Sequence, residues 1–294
     1  MIEVVDLRKR FGKATAVDGL TFGVPDGRIT GFLGPNGAGK TTTLRILLGL
    51  VHATAGTATI GGKHYRELDA PIHHVGAVLE TSNYHPKRSG REHLRVLCAA
   101  GGLRESRAGE LLDLVEITSA ADRDVGGYSL GMRQRLSVAG ALLGEPRLLV
   151  LDEPANGLDP EGIRWLRDLL RRFVAGGNTV FISSHVLAEV QQLADDVVII
   201  HRGRLVAQQS VVELTARAAG AIRVRSPDAS RLRDALARAG FSTTGDGERF
   251  TSNAPAERIG EIAAAGGFVL YELAAESATL EEAFLELTTD AGGE

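Results

Sequence analysis

From residue 34 to residue 42 the chain reads Gly34-Pro35-Asn36-Gly37-Ala38-Gly39-Lys40-Thr41-Thr42. This stretch fits the phosphate-binding pattern of glycine, any four residues, glycine, lysine, and serine or threonine at every constrained position. Residues 28–33 before it have the alternation and apolar end of a strand, and leucines recur after it at helical spacing. A strand, a glycine-rich loop and a helix therefore follow one another, which is the context that a phosphate-binding loop requires.

The residue types of this loop suit a nucleoside triphosphate. Glycines let backbone N–H groups turn inward around phosphate oxygens, because they carry no side chain. The helix predicted to begin near Lys40 adds unpaired N–H groups and about half a positive charge at its N-terminus. We expect Lys40 to reach the β- and γ-phosphates of ATP and Thr41 to be a ligand of Mg²⁺. The alternative is a glycine-rich turn that matches by chance, and the flanking strand and helix argue against it.

Two apolar stretches end in polar residues that are typical of a catalytic edge. Residues 148–151 are followed by Asp152 and Glu153, as in a buried parallel strand that delivers charge to the carboxyl edge of a sheet. We expect Asp152 to hold Mg²⁺ through its water shell and Glu153 to orient or deprotonate the attacking water. The stretch 179–185 repeats this design and ends in His185, a candidate sensor of the γ-phosphate.

Other positions around these strands are candidates on weaker grounds. Ser129 precedes an apolar helical pattern and can cap its N-terminus, and Pro160 suits the first position of another helix. A strand predicted over residues 72–79 ends in Glu80, whose carboxylate should face the site. Phe11 lies next to a glycine on a predicted loop, and the sequence leaves open whether it packs in the core or stacks on adenine.

The composition limits the class of protein. A length of 294 residues suits one large domain plus a smaller one, and 44% hydrophobic residues support a core. The net charge of -4 gives no global attraction to nucleic acid or anionic lipid. The single cysteine, Cys98, excludes an intrachain disulfide and is expected to be buried. No segment resembles a signal peptide or a membrane span, so membrane contact is expected only through a partner.

The order of predicted elements indicates two domains. We expect the first over residues 1–215, with antiparallel strands at its start and a helical insertion at about 85–145. We expect the second, over residues 216–294, to have the order of a split βαβ unit, with a last strand over 268–271. A tail helix is predicted from the capping box of Thr279 and Glu282. The predicted fold class is α/β: a P-loop NTPase core with an antiparallel β subdomain and a helical insertion, plus a small C-terminal α+β domain.

Together these motifs resemble the ATP-binding subunits of ABC transporters, over roughly residues 1–215 and in the family's order. The resemblance assigns, in chain order, Phe11 as the adenine-stacking aromatic, Gly34 to Thr42 as the Walker A loop, Ser129, Leu130, Gly131 and Met132 as the signature loop, Asp152 and Glu153 as the Walker B end, Asp159 as the D-loop and His185 as the switch histidine. Residues 216–294 look like the small C-terminal domain of bacterial drug, lantibiotic and bacitracin exporter ATPases.

Two departures from the family's pattern stand out. Glu80 replaces the usual glutamine that contacts Mg²⁺ and the membrane subunit, so it keeps an oxygen acceptor but adds negative charge. Leu130 and Met132 replace residues of the usual Ser-Gly-Gly-Gln signature, which keeps the close approach at Gly131 but loses the glutamine amide. Both variants resemble those of the exporter subgroup.

The resemblance also implies a mechanism and partners. Two copies would meet head to tail, with ATP enclosed between Walker A of one copy and the signature loop of the other, and hydrolysis at Glu153 would release this homodimer. An integral membrane permease would dock between Glu80 and Arg95, where Tyr84, His85 and Arg88 are expected to be exposed. The chain would then lie on the cytoplasmic face of a bacterial membrane and power multidrug, antibiotic or lantibiotic export.

Two rival classes fit the sequence less well. ATPases that act on DNA resemble the same head architecture, but they usually carry a long coiled coil, and the gap between Walker A and Walker B here has no sustained heptads. The acidic net charge also argues against a nucleic-acid partner. A regulatory subunit that does not hydrolyse ATP is disfavoured by the presence of both Glu153 and His185.

Overall fold

The computed structural model describes residues 2–79, 84–218 and 222–275. The chain divides into two units, residues 1–210 and residues 211–294. The sequence pattern predicts this division near residue 215. Within the described ranges, no helix combines the length and the apolar composition that crossing a bilayer requires.

The first unit contains both strands and helices. Its strands are β1 (Ile2–Phe11), β2 (Ala14–Val24), β3 (Ile29–Leu33), β4 (Ala55–Ile60), β5 (Val75–Val78), β6 (Leu148–Asp152), β7 (Thr179–Ser184), β8 (Asp196–His201) and β9 (Arg204–Ser210). Its α-helices are α1 (Lys40–Leu47), α2 (Gly90–Gly101), α3 (Ser106–Leu114), α4 (Leu130–Leu142), α5 (Pro160–Ala175) and α6 (Leu187–Leu193). Short 3-10 helices lie at Tyr65–Glu67, Pro71–His73, Thr118–Ala120 and Val125–Gly127.

A largely parallel sheet forms the centre of this unit, in the strand order β5-β6-β7-β3-β8-β9. Only β9 at one edge runs antiparallel to its neighbour. Strands β3, β6 and β7 are buried at every residue, because a strand in the middle of a parallel sheet is covered on both faces. The α/β class predicted from the apolar strands is confirmed, and the carboxyl ends of β6, β7 and β3 lie side by side.

A second, antiparallel sheet has the order β2-β1-β4 and shares a core with the parallel sheet. Phe22 of β2 packs against Phe32 of β3 and Phe181 of β7, with ring centroids 5.4 and 5.8 Å away. Strand β1 continues to Phe11 and pairs with β2 as a hairpin. The prediction that Phe11 lies on a loop is therefore wrong: it is the last residue of a strand.

Helices α2, α3 and α4 form a helical segment between β5 and β6. Helix α2 begins at a capping box of Ser89 and Glu92, and it ends at Gly102, whose φ of 66° only glycine adopts without strain. Cys98 is buried in this segment as predicted, and burial raises the pKa of its thiol. Helix α4 lies close against β5, so close that a Cβ on Gly76 would stand 2.0 Å from the carbonyl oxygen of Ala141.

The predicted strand over residues 72–79 is wrong at its start. Residues Pro71–His73 form a 3-10 turn, and the strand begins only at Val75. Proline at the first position of the turn presets its φ, and the His73 ring nitrogen Nδ1 lies 2.7 Å from the carbonyl oxygen of Gly144. A proline within the turn and a contact with a residue far along the chain both favour this turn over a longer strand.

The second unit is a small α+β domain. Its elements are α7 (Val211–Ala218), β10 (Ile222–Arg225), α8 (Ala229–Arg238), β11 (Thr243–Thr244), β12 (Arg249–Ser252), α9 (Ala256–Gly266) and β13 (Glu272–Ala275). The sheet order is β11-β12-β10-β13 with antiparallel pairing throughout. It has the predicted split βαβ order, with one strand, β11, that the sequence pattern did not predict. Helices α8 and α9 cover its buried face around Leu232, Leu236, Phe250 and Ile259.

The last strand of this unit lies later than predicted. Gly267 ends α9 with a φ of 65°, and the N–H of Phe268 then donates to the carbonyl oxygen of Ala263 at 2.9 Å. The N–H of Tyr271 donates to the carbonyl oxygen of Arg225 at 2.8 Å, and the strand begins only at Glu272. The predicted tail helix from Thr279 lies outside the described residues.

Gly76→Ala should destabilise the first unit, because the added methyl group would overlap the backbone of α4 at Ala141. Overpacking of this kind costs about 1–3 kcal/mol, and a unit of this size loses about 2–4 °C in the midpoint of thermal unfolding per kcal/mol. Gly127→Ala is the matched control, since a Cβ there meets nothing within 4 Å. Equal unfolding midpoints for the two variants would contradict the close packing of α4 on β5.

Candidate nucleotide site

A cavity of about 530 Å³ opens at the carboxyl ends of β3, β6 and β7. It is lined by the loop 35–42 together with Phe11, Ala16, Glu153, Asn156 and His185. Binding pockets for small molecules range from about 300 to 1,000 Å³, so a nucleotide fits this volume. The fold thus brings together, on one surface, the loop, the acidic strand end and the histidine that the sequence places far apart.

The loop before α1 can be built only with glycine at several positions. Gly37 and Gly39 have φ angles of 81° and 104°. A Cβ on Gly39 would lie 2.4 Å from the carbonyl oxygen of Ala16, and one on Gly34 would lie 2.5 Å from that of Ile200. Helix α1 begins at Lys40 as predicted, so its free N–H groups adjoin the cavity.

Lys40 is buried and makes three contacts. Its Nζ donates to the carbonyl oxygens of Gly34 and Pro35 at 2.6 and 3.3 Å and forms an ion pair with Oε1 of Glu153 at 3.2 Å. The other carboxylate oxygen of Glu153 lies 2.8 Å from Nδ1 of His185. One carboxylate therefore bridges the lysine of the loop and the histidine that follows β7.

The backbone of Glu153 is strained. Its φ of 50° is in the left-handed region, which a residue with a side chain adopts at a cost of about 1–3 kcal/mol. The same conformation sets the carboxylate against Lys40 and His185. A further acid, Glu189 of α6, adjoins this pair: burial raises its pKa, His185 opposes that rise and the charge of Glu153 adds to it.

Asp152 is the last residue of β6 and is buried beneath the cavity. Its Oδ1 accepts a hydrogen bond from Oγ of Ser183 at 2.5 Å, whereas Oδ2 has no hydrogen-bond partner among the described residues. A buried carboxylate oxygen without a partner is costly. Oxygen ligands with retained water are what Mg²⁺ prefers, so the partnerless oxygen of Asp152 fits the metal predicted for it. Thr41 lines the cavity.

The predicted signature loop lies outside this cavity. Ser129 caps α4 as predicted, with its Oγ accepting from the N–H of Met132 at 3.2 Å. Leu130 is 47% exposed and reaches toward the turn after β6, where a Cβ on Gly157 would stand 2.3 Å from it. Gly131 lies beside the same turn, near Leu158.

The turn after β6 leads into helix α5. Asp159 caps this helix through a 2.8 Å bond from the N–H of Gly162, and Pro160 is the first helical residue, as predicted. Asn156, in the same turn, lines the cavity, although sequence reasoning did not single it out. Ser183 was also missed as a site residue; a polar residue near the end of an otherwise apolar strand was the available signal.

Phe11 stands at the wall of the cavity and is 52% exposed, so the core alternative is excluded. The Nζ of Lys9 lies 4.7 Å from the centre of its ring. Glu80, the remaining predicted metal ligand, lies outside the described residues.

The expected exposure of the docking residues is only partly right. His85 is exposed, but Tyr84 and Arg88 are half-buried. Tyr84 is partly covered because its hydroxyl donates a hydrogen bond to the carbonyl oxygen of Arg133 at 3.0 Å. Its ring also lies edge-on against the ring of His93. Tyr84 lines a groove of about 460 Å³ between β5 and helices α2 and α4, together with Leu97 and Leu136.

Comparison with known proteins identifies the family. Residues 17–156 match the model of the ABC transporter family, and residues 220–281 match a domain of unknown function. The bacitracin transport ATP-binding protein of Enterococcus faecalis is 40% identical over 74% of this chain and 71% of its own. The lantibiotic transport ATP-binding protein of Streptococcus pyogenes is 37% identical over 71% of this chain and 90% of its own.

Solved structures show the same fold. The ATP-binding subunit of an ABC transporter superposes with a TM-score of 0.66 at 29% identity, over 74% of this chain and 92% of that one. An ATP-binding cassette described as a dimer in a post-hydrolysis state with ADP and Pi gives a TM-score of 0.65 at 23% identity, over 72% of this chain and 99% of that one. The chain therefore belongs to the ABC transporter family, as one of its ATP-binding and ATP-hydrolysing subunits.

Proposed function

We propose that two copies of this chain clamp ATP between them and drive a bacterial membrane exporter. The observation that carries the proposal is the contact of Glu153 with both Lys40 and His185 at the phosphate loop. For the cargo, we propose an antibiotic or lantibiotic-type peptide or a comparable drug. Two relatives named for bacitracin and lantibiotic transport support this choice.

We assign the nucleotide contacts as follows. Phe11 stacks on adenine, the N–H groups of residues 34–42 bind the phosphates, and Lys40 leaves Glu153 to reach the β- and γ-phosphates. Thr41 and Asp152 hold Mg²⁺, with Glu80 as a further ligand. When bound, Mg²⁺ would neutralise negative charge on the phosphate oxygens.

Glu153 acts on water in this scheme. Its carboxylate, released from Lys40 when that side chain binds phosphate, accepts a hydrogen bond from the attacking water and takes its proton. His185 holds the carboxylate in place through Nδ1 and presents the rest of its ring toward the γ-phosphate. Both residues follow the ends of neighbouring strands, so the backbone fixes their separation.

A second copy is needed because the signature loop does not reach the cavity of its own chain. In a head-to-tail pair, the N-terminus of α4 with Ser129 to Met132 would face the phosphates bound by the partner subunit. Hydrogen bonds to charged phosphate contribute about 1.5–3 kcal/mol each, so ATP stabilises the pair and its hydrolysis weakens it. Asp159 and the turn before it border the same surface.

The permease should dock at the groove of about 460 Å³ between β5, α2 and α4, which Tyr84 and His93 line. The groove lies between the helical segment and the sheet that carries Glu153. A permease segment docked there would therefore respond to a movement of the helical segment or of the sheet. We therefore place the chain on the cytoplasmic face of the membrane, in contact with it through the permease alone and without a nucleic-acid partner.

Lys40→Ala should weaken ATP binding at least tenfold, because the variant lacks the cation assigned to the β- and γ-phosphates. Titration with a fluorescent ATP analogue measures this change. Lys63→Ala, which removes an exposed lysine away from the cavity, is the control and should bind normally. Unchanged affinity in Lys40→Ala, with an unfolding midpoint equal to that of the wild type, would refute the role of Lys40.

Glu153→Gln should bind Mg-ATP normally, lose at least 100-fold in hydrolysis and accumulate as a dimer. The amide still accepts hydrogen bonds but cannot take a proton, so bound ATP persists between the two copies. Size-exclusion chromatography with and without Mg-ATP measures the dimer, and Glu3→Gln on the exposed face of β1 is the control.

Two results would count against this mechanism. Rapid turnover by Glu153→Gln would remove Glu153 from its role, and a monomer at saturating Mg-ATP would refute the clamp. A six-span membrane protein in the adjacent reading frame, co-purifying with the chain, would supply the permease for assays of drug protection.

A further inference from the structure

Ser183 has no role among the proposed nucleotide and metal contacts. It lies on β7 directly opposite Asp152 of β6, in the parallel register that pairs the two strands. The side chain is fully buried. Its hydroxyl contacts both residues of the acidic strand end: Oγ lies 2.5 Å from Oδ1 of Asp152 and 3.0 Å from the backbone nitrogen of Glu153.

The direction of these two bonds follows from their chemistry. A backbone N–H can only donate, so the Ser183 oxygen accepts from Glu153. The hydroxyl proton is then given to Oδ1 of Asp152, the acceptor at 2.5 Å. As a result Oδ1 is occupied within the protein, and Oδ2 is the oxygen without a partner among the described residues. One hydroxyl therefore selects which oxygen of Asp152 remains for an external ligand.

The second bond acts on the strained residue. Glu153 has a φ of 50°, and its N–H is held by Ser183 in that left-handed conformation. From this backbone its carboxylate meets Lys40 at 3.2 Å and His185 at 2.8 Å. His185 follows Ser183 by two residues on the same segment, so one strand end holds both the backbone and the side chain of Glu153.

We propose that Ser183 is a positioning residue for ATP hydrolysis, which directs Oδ2 of Asp152 toward Mg²⁺ and holds Glu153 in the conformation that aims its carboxylate into the cavity. This inference rests on the proposed roles of Asp152 and Glu153. Loss of a residue that hydrogen-bonds to a metal ligand typically lowers metal affinity or activity by about 10- to 100-fold.

The test compares serines of similar burial. Ser183→Ala removes both bonds. Ser183→Cys keeps nearly the same volume but offers only a weak donor and acceptor. The matched control is Ser252→Ala: Ser252 is buried in the second unit, donates to the carbonyl oxygen of Ser242 at 3.1 Å and accepts from the N–H of Ala254 at 3.2 Å.

Two quantities separate positioning from packing. The first is the ratio of ATP affinities measured with and without Mg²⁺, using a fluorescent ATP analogue. In both Ser183 variants we expect this ratio to fall by about tenfold or more. The affinity for ATP without Mg²⁺ should stay unchanged. The second is steady-state hydrolysis, where kcat should fall by about 10- to 100-fold and KM for Mg-ATP should rise in step with the weaker Mg-ATP affinity. Ser252→Ala should keep both quantities.

The outcomes distinguish this inference from the function on which it rests. Wild-type values of both quantities in Ser183→Cys, with Glu153→Gln inactive, would overturn the role of Ser183 alone. Loss of metal-free affinity in step with a lower unfolding midpoint would also overturn it, because that pattern indicates a packing defect. If Ser183→Ala fails to fold, Ser183→Cys decides the question. Full activity of Glu153→Gln would instead refute the proposed function.

Discussion

The parallel pairing of β6 with β7 and of β7 with β3 is the constraint on which the candidate site depends. Backbone hydrogen bonds set Asp152 opposite Ser183 and Leu33 opposite Ser184. The residues that follow these strands, Gly34, Glu153 and His185, therefore emerge at the same level of one sheet edge. A shift of one residue in either pairing would turn every side chain of the shifted strand to the opposite face, and would separate the carboxylate from the lysine and the histidine.

Within this sheet the site contains a buried ion pair. Lys40 and Glu153 are 6% and 8% exposed, so both lose most of their hydration and compensate each other at 3.2 Å. A buried pair of this kind contributes little net stability, and the loss of one partner leaves the other uncompensated. A phosphate can replace the carboxylate beside Lys40 and keep the lysine paired, while Glu153 keeps its hydrogen bond to His185.

Asp152 and Glu153 show a second cost carried for function. One oxygen of Asp152 is buried without a hydrogen-bond partner among the described residues, and Glu153 has a left-handed backbone. Both features disfavour the folded state by themselves. The fully buried strands around them, and the packing of Phe22, Phe32 and Phe181, supply the rigidity that maintains them.

Local features could be derived from the sequence alone, because their stabilising contacts span only a few residues. These include the glycine loop, the start of α1 at Lys40, the cap at Ser129 and the helix start at Pro160. The buried strands that precede the acidic and histidine positions followed from their apolar runs. The α/β class and the split βαβ order of the second unit followed from the sequence of such elements.

Only the tertiary structure decided the contacts between distant segments. It extended β1 to Phe11, started β5 only at Val75, packed the half-buried Tyr84 against α4 and joined Ser183 to Asp152. Each of these features depends on the register between strands or on contacts between residues far apart in the chain. Hydrophobic periodicity encodes neither of them. The motifs state which groups are available, and the register of the sheet decides which of them touch.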